Sequence, residues 1–213
     1  MSVTEIVDKF IYGLQHTTPI EYIAVFAGIG SVFFSRAENI LVYPVGIIST
    51  IIYIYISFAG KLYAEAGLNI YYTVMSLIGW YMWAMRKKTG EKVIHISVSN
   101  KKDWRSSLAF FFGMWVALYF ILKKFTDSTV PIADSFASAA AYTGMLLMNK
   151  KKIENWLWWI VTNIVSIPLY FIKGYVFTSV QFVILLIMAV SGWIVWNKKM
   201  KQQQAVAFVP VKE

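Results

Sequence analysis

Residues 154–163 read ENWLWWIVTN, and the apolar run that they open continues to about Ile172. An α-helix needs about 20 apolar residues to cross the hydrocarbon core of a bilayer, so the run is long enough to span a membrane. Its first three turns nevertheless contain three tryptophans and, at position 163, an asparagine. A side-chain amide in hydrocarbon costs free energy unless it is hydrogen-bonded, so Asn163 should turn away from lipid. The stretch predicts a membrane helix with one aromatic, polar face.

The composition of the whole chain fits a lipid environment. Of its 213 residues, 58% are hydrophobic and 15% are charged, whereas soluble domains have about 45–50% and 25%. Seven apolar segments of similar length are separated by short charged runs, which predicts an all-α integral membrane protein with seven transmembrane helices. We predict the spans at 18–35, 39–58, 67–85, 106–122, 131–149, 155–172 and 176–196.

The basic residues are distributed unevenly over the segments that connect these spans. If the N-terminus lies outside, the inner segments hold fifteen Lys and Arg residues and the outer segments hold five. The positive-inside rule therefore predicts an N-terminus outside and a C-terminus in the cytoplasm. The net charge of +9 is then a consequence of topology, with the lipid bilayer as the counter-charge. No nucleic-acid partner is expected.

Two short motifs occur twice. Glu38-Asn39 precedes a G-W-x-x-W motif at 79–83, and Glu154-Asn155 precedes the same motif at 192–196. The two halves are four crossings apart and therefore point the same way, which predicts a 3+1+3 arrangement with a substrate site between parallel halves. The predicted organisation is an extracytoplasmic segment 1–17, a three-helix bundle 18–85, a basic cytoplasmic loop 86–105, a linker helix 106–122, a second three-helix bundle 131–196 and a cytoplasmic tail 197–213. Within the loop, residues 93–99 could lie flat on the membrane or be solvated.

Several predicted spans carry one polar, aromatic face. A helix turns by 100° per residue, so residues three, four and seven positions apart share a face. The candidate substrate-binding residues on such faces are Trp156, Trp159 and Asn163 in the sixth span, Asn69, Tyr72 and Ser76 in the third, Tyr43 in the second, and Thr178 and Gln181 in the seventh. A tryptophan wall with an amide one turn deeper suits a planar ring with polar substituents. For Asn163, a hydrogen bond between helices is an equally open interpretation.

Other residues have structural interpretations. Trp83, Trp158 and Trp196 lie near span ends, and we interpret them as part of the interfacial aromatic belts. Small residues in the first and fifth spans are interpreted as helix-packing positions.

Reactive chemistry is sparse. The chain has no cysteine, and its two histidines lie in separate segments, so neither a metal site nor another cofactor is expected. The span interiors carry no Asp, Glu, Lys or Arg. Coupled carriers often have ionisable groups at that depth, so their absence favours a facilitator. It also leaves no acid–base pair for an enzyme.

The motifs resemble a known family. Residues 67–72 and 79–83 look like the first half of the PnuC vitamin transporters, and the W-x-x-W-x-x-x-N pattern at 156–163 is similar to their sixth helix. The resemblance implies a 3+1+3 fold like that of the SWEET sugar transporters, often as a homotrimer. It also implies uptake of nicotinamide riboside by facilitated diffusion across the bacterial inner membrane. A cytoplasmic kinase would trap the substrate by phosphorylation without stable binding to the carrier.

The resemblance further implies that Trp156, Trp159 and Asn163 contact the substrate and that Asn69 faces them. The chain departs from the family pattern at Asn69 and Phe182, where many relatives have glutamine and tyrosine. Thiamine and riboflavin, the substrates of other relatives, therefore stay open as alternatives. A membrane protein without transport activity, either an enzyme or an assembly factor, is a second class of interpretation.

Overall fold

The computed structural model describes residues 2–60, 63–126 and 128–207, and this part of the chain forms eight α-helices and no strand. The helices are α1 Val3–His16, α2 Pro19–Arg36, α3 Val42–Ala59, α4 Tyr63–Ala84, α5 Lys101–Phe125, α6 Pro131–Asn149, α7 Asn155–Ile172 and α8 Val176–Ala207. Each of the seven predicted spans falls on one of the helices α2 to α8, with shifted ends. Lys61, Lys212 and the end of the predicted tail lie outside the described residues.

Within the described residues, four helices are long and apolar enough to cross a membrane: α3, α5, α7 and α8. The number becomes five if α1 and α2, which meet at an angle of 106°, are counted as one broken span. The protein therefore has the helices of a multi-pass membrane protein, and a count of seven crossings stays a prediction.

The helix α1 was not predicted from the sequence. Ser2 and Glu5 form a capping box at its start, and Thr18 and Glu21 form another at the start of α2. Each box satisfies backbone N–H groups that the first helical turn leaves without partners. The sharp bend directs α1 across the end of α8, where the rings of Phe10 and Phe177 lie 5.8 Å apart.

The helices pack in two groups of three. The helix α3 packs between α2 and α4, and α7 packs between α6 and α8. Further contacts join the groups through α2 with α8 and through α4 with α6. The helix α5 packs on the outside of α6. A space between the two groups is thus bounded by six helices, and the candidate site lies there.

The connection between α4 and α5 packs on protein in part: Ile96 is buried, whereas Val93 and Val98 are exposed, so both interpretations of residues 93–99 stay open. The Ser97 amide donates to the Lys151 carbonyl oxygen over 3.1 Å, and the Ile153 amide donates to the Ser97 carbonyl oxygen over 3.0 Å. The Ser99 amide and hydroxyl both donate to the Glu154 carboxylate. These bonds fix the connection to the turn between α6 and α7, and α5 begins at Lys101, inside the predicted loop 86–105.

Candidate functional site

A cavity of about 350 Å³ lies between the two groups of helices. Its described lining comes from α2, α3, α4, α6, α7 and α8, with no residue from α1 or α5. Such a volume lies near the lower end of the range for small-molecule sites, about 300–1,000 Å³. The cavity is therefore large enough for a small organic solute.

Seven of the nine predicted residues line this cavity. They are Trp156, Trp159, Asn163, Asn69, Tyr72, Ser76 and Tyr43. Thr178 and Gln181 do not belong to its described lining. The helix α8 contributes Phe182, Leu185 and Ala189 instead, which share a face at helical spacing.

The amide of Asn163 is the most distinctive feature of the lining. Asn163 is only 3% exposed, yet its side chain has no hydrogen-bonding partner among the described residues. Native proteins pair almost all buried polar groups, so an unpaired amide that faces a cavity indicates a position for water or solute. The helix-to-helix bond that the sequence left open is absent from the described part of the chain.

The aromatic wall beside Asn163 packs closely against a glycine of α6. A Cβ on Gly144 would lie 3.3 Å from Cε2 of Trp159, so α6 approaches that indole closely. The Trp159 ring lies 6.5 Å from the ring of Tyr72, at an interplanar angle of 34°. These two rings, from α7 and α4, both belong to the cavity lining. The faces of such rings suit an aromatic ring or a cation.

Trp156 lies at the end of the wall near the start of α7. A Cβ on Gly192 would lie 2.6 Å from its ring, and the ring of Trp196 meets it edge-on at 5.6 Å. Trp156 is 1% exposed, and its buried indole N–H has no partner among the described residues. The ring is therefore held between Gly192 and Trp196, and it belongs to the cavity lining.

The facing wall comes from α3 and α4. The Tyr43 hydroxyl donates to Oδ1 of Asn149 over 3.2 Å, and Nδ2 of Asn149 donates to the Met75 carbonyl oxygen over 2.8 Å. Asn69 donates to the Glu65 carbonyl oxygen of its own helix, which orients its amide. These bonds join α3 and α4 to α6 and fix the positions of the polar side chains.

The cavity lining also includes small residues that were not among the candidates. Gly28, Ser31 and Ser138, in the first and fifth predicted spans, were interpreted as packing positions, and Ser166 was not predicted, yet all four line the cavity. Ser166 is 3% exposed and lies one turn beyond Asn163. A short side chain serves packing and cavity lining equally well, so its type alone does not separate the two roles.

The cavity is sealed at the end near Trp83. Its lining there includes Tyr43, Trp156 and Met148, all buried. The Trp196 indole donates to the Ser35 carbonyl oxygen over 3.0 Å, and the Trp83 indole donates to the Asn149 carbonyl oxygen over 3.2 Å. Trp196 of the second group thus donates a hydrogen bond to α2, and Trp83 of the first group donates one to α6.

The prediction that Trp83, Trp158 and Trp196 belong to interfacial belts was wrong. Trp83 and Trp196 are 4% and 0% exposed, and their rings lie 6.1 Å apart between the two groups. Trp158 packs 4.8 Å from the ring of Phe111 on α5. A belt residue needs contact with the lipid headgroups, which these buried rings lack.

Charged residues surround the sealed end. Nζ of Lys151 lies 2.6 Å from Oε1 of Glu38 and 4.5 Å from the centroid of the Trp83 ring. Lys199 and Lys92 approach the same carboxylate at 3.6 and 3.9 Å. Burial opposes ionisation of Glu38, but the hydrogen bond from Lys151 and the three positive charges hold its pKa below the ordinary value of 4.5. Burial lowers the pKa of Lys151, against the opposing effect of Glu38.

The opposite end of the cavity contains Asp134. There Tyr53, Asn69 and Tyr170 are partly exposed, in contrast to the buried residues near Trp83. Asp134, in the first turn of α6, is the one charged residue in the described lining. It pairs with Lys173, whose Nζ lies 2.7 Å from Oδ1, and it accepts a hydrogen bond from the Ser128 hydroxyl.

A helical membrane protein with an aromatic, amide-containing cavity between two groups of helices has the structure of a small-solute transporter. The sequence model of the family described as "Nicotinamide mononucleotide transporter" matches residues 18–198. The chain belongs to that family, and its resemblance to the PnuC vitamin transporters is confirmed.

Three named transporters are similar to this chain in sequence. The nicotinamide riboside transporter PnuC of Escherichia coli is 22% identical over 208 residues, covering 86% of this chain and 87% of that protein. The PnuC of Neisseria mucosa is 28% identical over 191 residues, with coverages of 84% and 72%. The riboflavin/roseoflavin transporter RibM of Streptomyces davaonensis is 21% identical over 204 residues, with coverages of 93% and 94%.

The fold is also similar to a solved structure. The crystal structure of the vitamin B3 transporter PnuC superposes with a TM-score of 0.69 at 24% identity. The match covers 94% of this chain and 90% of that one. The helical architecture is therefore that of a PnuC transporter.

Proposed function

We propose that this protein carries nicotinamide riboside across the bacterial inner membrane by facilitated diffusion. The relatives named for this substrate support the proposal. The observation that carries it is the buried amide of Asn163, which lines the cavity with Trp159 and has no hydrogen-bonding partner among the described residues. The nicotinamide ring stacks on the Trp156 and Trp159 wall, and Asn163 orients its carboxamide by hydrogen bonding.

The charges of the cavity favour nicotinamide riboside over nicotinamide mononucleotide, the solute in the description of the family. Nicotinamide riboside carries one positive charge on its ring, and aromatic faces such as those of Trp159 and Tyr72 attract a cation. A phosphate group would instead need a basic partner, because an unpaired buried charge is costly. The described lining contains no Lys or Arg, and its one charged residue, Asp134, would repel a phosphate.

Riboflavin and thiamine are the alternative substrates. The similarity to RibM favours riboflavin as a second candidate. Thiamine is also a cationic ring, so charge does not separate it from the riboside. The described lining is compatible with each of these flat solutes, and the proposal of the riboside rests on the two relatives named for it.

The proposed architecture has seven crossings in a 3+1+3 arrangement, as in SWEET transporters. Paired contacts support a parallel repeat. Tyr43 meets Trp83 edge-on at 5.2 Å. When the two G-W-x-x-W motifs are aligned, the corresponding residues are Trp156 and Trp196, which meet edge-on at 5.6 Å. The bundles comprise residues 18–85 and 131–196, the linker helix 106–122 joins them, and 86–105 and 197–213 face the cytoplasm while 1–17 lies outside.

The proposed mechanism is a carrier that exposes its cavity to each side in turn without an ion gradient. The N-terminus lies outside and the C-terminus lies in the cytoplasm, which places most basic residues inside. The protein has no enzymatic role; a cytoplasmic kinase retains the substrate by phosphorylation. We further propose that the carrier assembles as a homotrimer.

Counterflow in proteoliposomes tests the proposal. Vesicles loaded with unlabelled nicotinamide riboside should accumulate the labelled riboside without an ion gradient, and nicotinamide mononucleotide should not compete. Parallel vesicles with thiamine and riboflavin identify the alternatives. Counterflow of one of these vitamins but not of the riboside would overturn the substrate. An absence of counterflow with all three would favour a protein without transport activity.

A further inference from the structure

The ion pair of Asp134 and Lys173 takes no part in the proposed contacts with the substrate. Nζ of Lys173 lies 2.7 and 2.8 Å from the two carboxylate oxygens of Asp134. The side chains are 18% and 22% exposed, so neither charge is isolated from solvent. Asp134 belongs to the cavity lining and Lys173 does not, so a solute at this end meets the carboxylate first.

Two different elements hold the pair. Asp134 lies in the first turn of α6, where the helix dipole favours a carboxylate. Lys173 directly follows α7, and the next residue, Gly174, has a φ of +84° that closes the turn into α8. The ammonium group lies 5.8 Å from the ring centroid of Tyr170, which itself lines the cavity. The ammonium group of Lys173 therefore contacts both the Asp134 carboxylate and the Tyr170 ring.

Other charges lie near the pair. Glu65 on α4 interacts electrostatically with both residues. Nζ of Lys9 on α1 lies 3.5 Å from the position of a Cβ on Gly174. Glu65 and Lys9 thus add one charge of each sign near the pair, and Glu21 on α2 acts electrostatically on Tyr53, which lines the cavity at this end.

Resting on the proposed function, we propose that the Asp134–Lys173 pair sets the charge selectivity of the cavity. The carboxylate attracts a cationic ring at the partly exposed end, and the ammonium group offsets this attraction so that the cation is not retained there. A conducting site must bind well enough to admit a solute and weakly enough to release it. Because Coulomb energies of the two charges have opposite sign, removing each one should shift selectivity in opposite directions.

The test compares nicotinamide riboside with its 1,4-dihydro form, a neutral molecule of nearly the same shape. Initial uptake at subsaturating concentration gives the ratio of cationic to neutral transport in proteoliposomes. Asp134→Asn should lower this ratio by about threefold or more, and Lys173→Met should raise it by a similar factor. The double variant should return close to the wild-type ratio. Asp8→Asn and Lys123→Met, outside the cavity lining, serve as matched controls and should leave the ratio unchanged.

The opposite directions of the two predicted shifts in the uptake ratio distinguish a role in charge selectivity from a purely structural contact. An ion pair that only holds α6 to α7 would reduce uptake of both forms equally in either variant, and an unchanged ratio would overturn the proposal. A shift in the same direction in both variants would also overturn it. If Asp134→Asn does not fold, the rise predicted for Lys173→Met decides alone. Wild-type protein that transports neither form would contradict the proposed function and this assignment together.

Discussion

Nζ of Lys151 lies 2.6 Å from Oε1 of Glu38, although the two residues are 113 positions apart. The bond joins the turn between α2 and α3 to the turn between α6 and α7, and therefore one group of helices to the other. Both residues adopt positive φ angles, 60° for Glu38 and 50° for Lys151. Such angles are uncommon for residues other than glycine. The contact thus fastens the sealed end of the cavity.

Removing Glu38 should destabilise the protein more than removing Lys151. In Glu38→Gln, the ammonium group of Lys151, 2% exposed, loses its carboxylate partner. In Lys151→Met, Glu38 still has Lys199 at 3.6 Å and Lys92 at 3.9 Å. Breaking a buried pair costs up to about 3–5 kcal/mol when a charge is left unpaired, so Glu38→Gln should lower Tm clearly further. Thermal unfolding in detergent measures the difference; equal shifts would count against the assignment of Glu38 as the shared partner.

Acid should loosen the same contact. Because the pKa of Glu38 in the folded protein lies below 4.5, its carboxylate contributes stability above that pH. The contribution is lost as the pH falls through the lowered pKa. Asp103, whose pKa is lowered by the hydrogen bond from Lys152, is present in both proteins, so the comparison isolates Glu38. The Tm gap between the wild type and Glu38→Gln should therefore narrow as the pH falls below the ordinary value of 4.5; a constant gap would contradict the account.

The indole N–H of Trp196 should contribute measurable stability. Trp196→Phe loses the bond to the Ser35 carbonyl oxygen, which is worth about 1 kcal/mol. Trp158→Phe removes a similar ring volume, but the buried Trp158 N–H has no partner among the described residues. Trp196→Phe should therefore be the more destabilising change by about 1 kcal/mol or more, measured by chemical unfolding. The reverse order would show that the cross-group bond is not stabilising.

Gly192 should not tolerate a methyl group. An added Cβ would lie 2.6 Å from the Trp156 ring, which Trp196 holds from the other side, so Gly192→Ala should cost about 1–3 kcal/mol. It should also weaken uptake, because the displaced ring borders the cavity. Gly113→Ala is the matched control: it lies in α5, and its Cβ would meet nothing within 4 Å. Equal stability of the two variants would contradict the packing described for Trp156.

The sequence located the helices and most of the candidate site because both depend on local periodicity. Apolar length places α2 to α8, and the 100° turn per residue places Trp156, Trp159 and Asn163 on one face. The same rule overextended the stripe on α8. Thr178 and Gln181 were included, but Phe182, one position further along, faces the cavity.

Long-range pairing could not be predicted from these patterns. Lys151 is one of three consecutive lysines that indicate topology, and nothing local distinguishes the one that is buried against Glu38. Trp83 and Trp196 lie where belt residues lie, yet each donates to a carbonyl of the other group. A hydrogen-bonding partner 65 or more residues away leaves no periodic signal.

The central claim is that Asn163 and the adjacent rings bind nicotinamide riboside, and calorimetric titration of the purified protein tests it most directly. The wild type should bind the riboside, and Asn163→Leu, which removes the amide at similar volume, should weaken binding about tenfold or more. Asn197→Leu, outside this cavity, should bind as the wild type does. Wild-type protein that does not bind the riboside, or an Asn163→Leu variant that binds it equally well, would contradict the account.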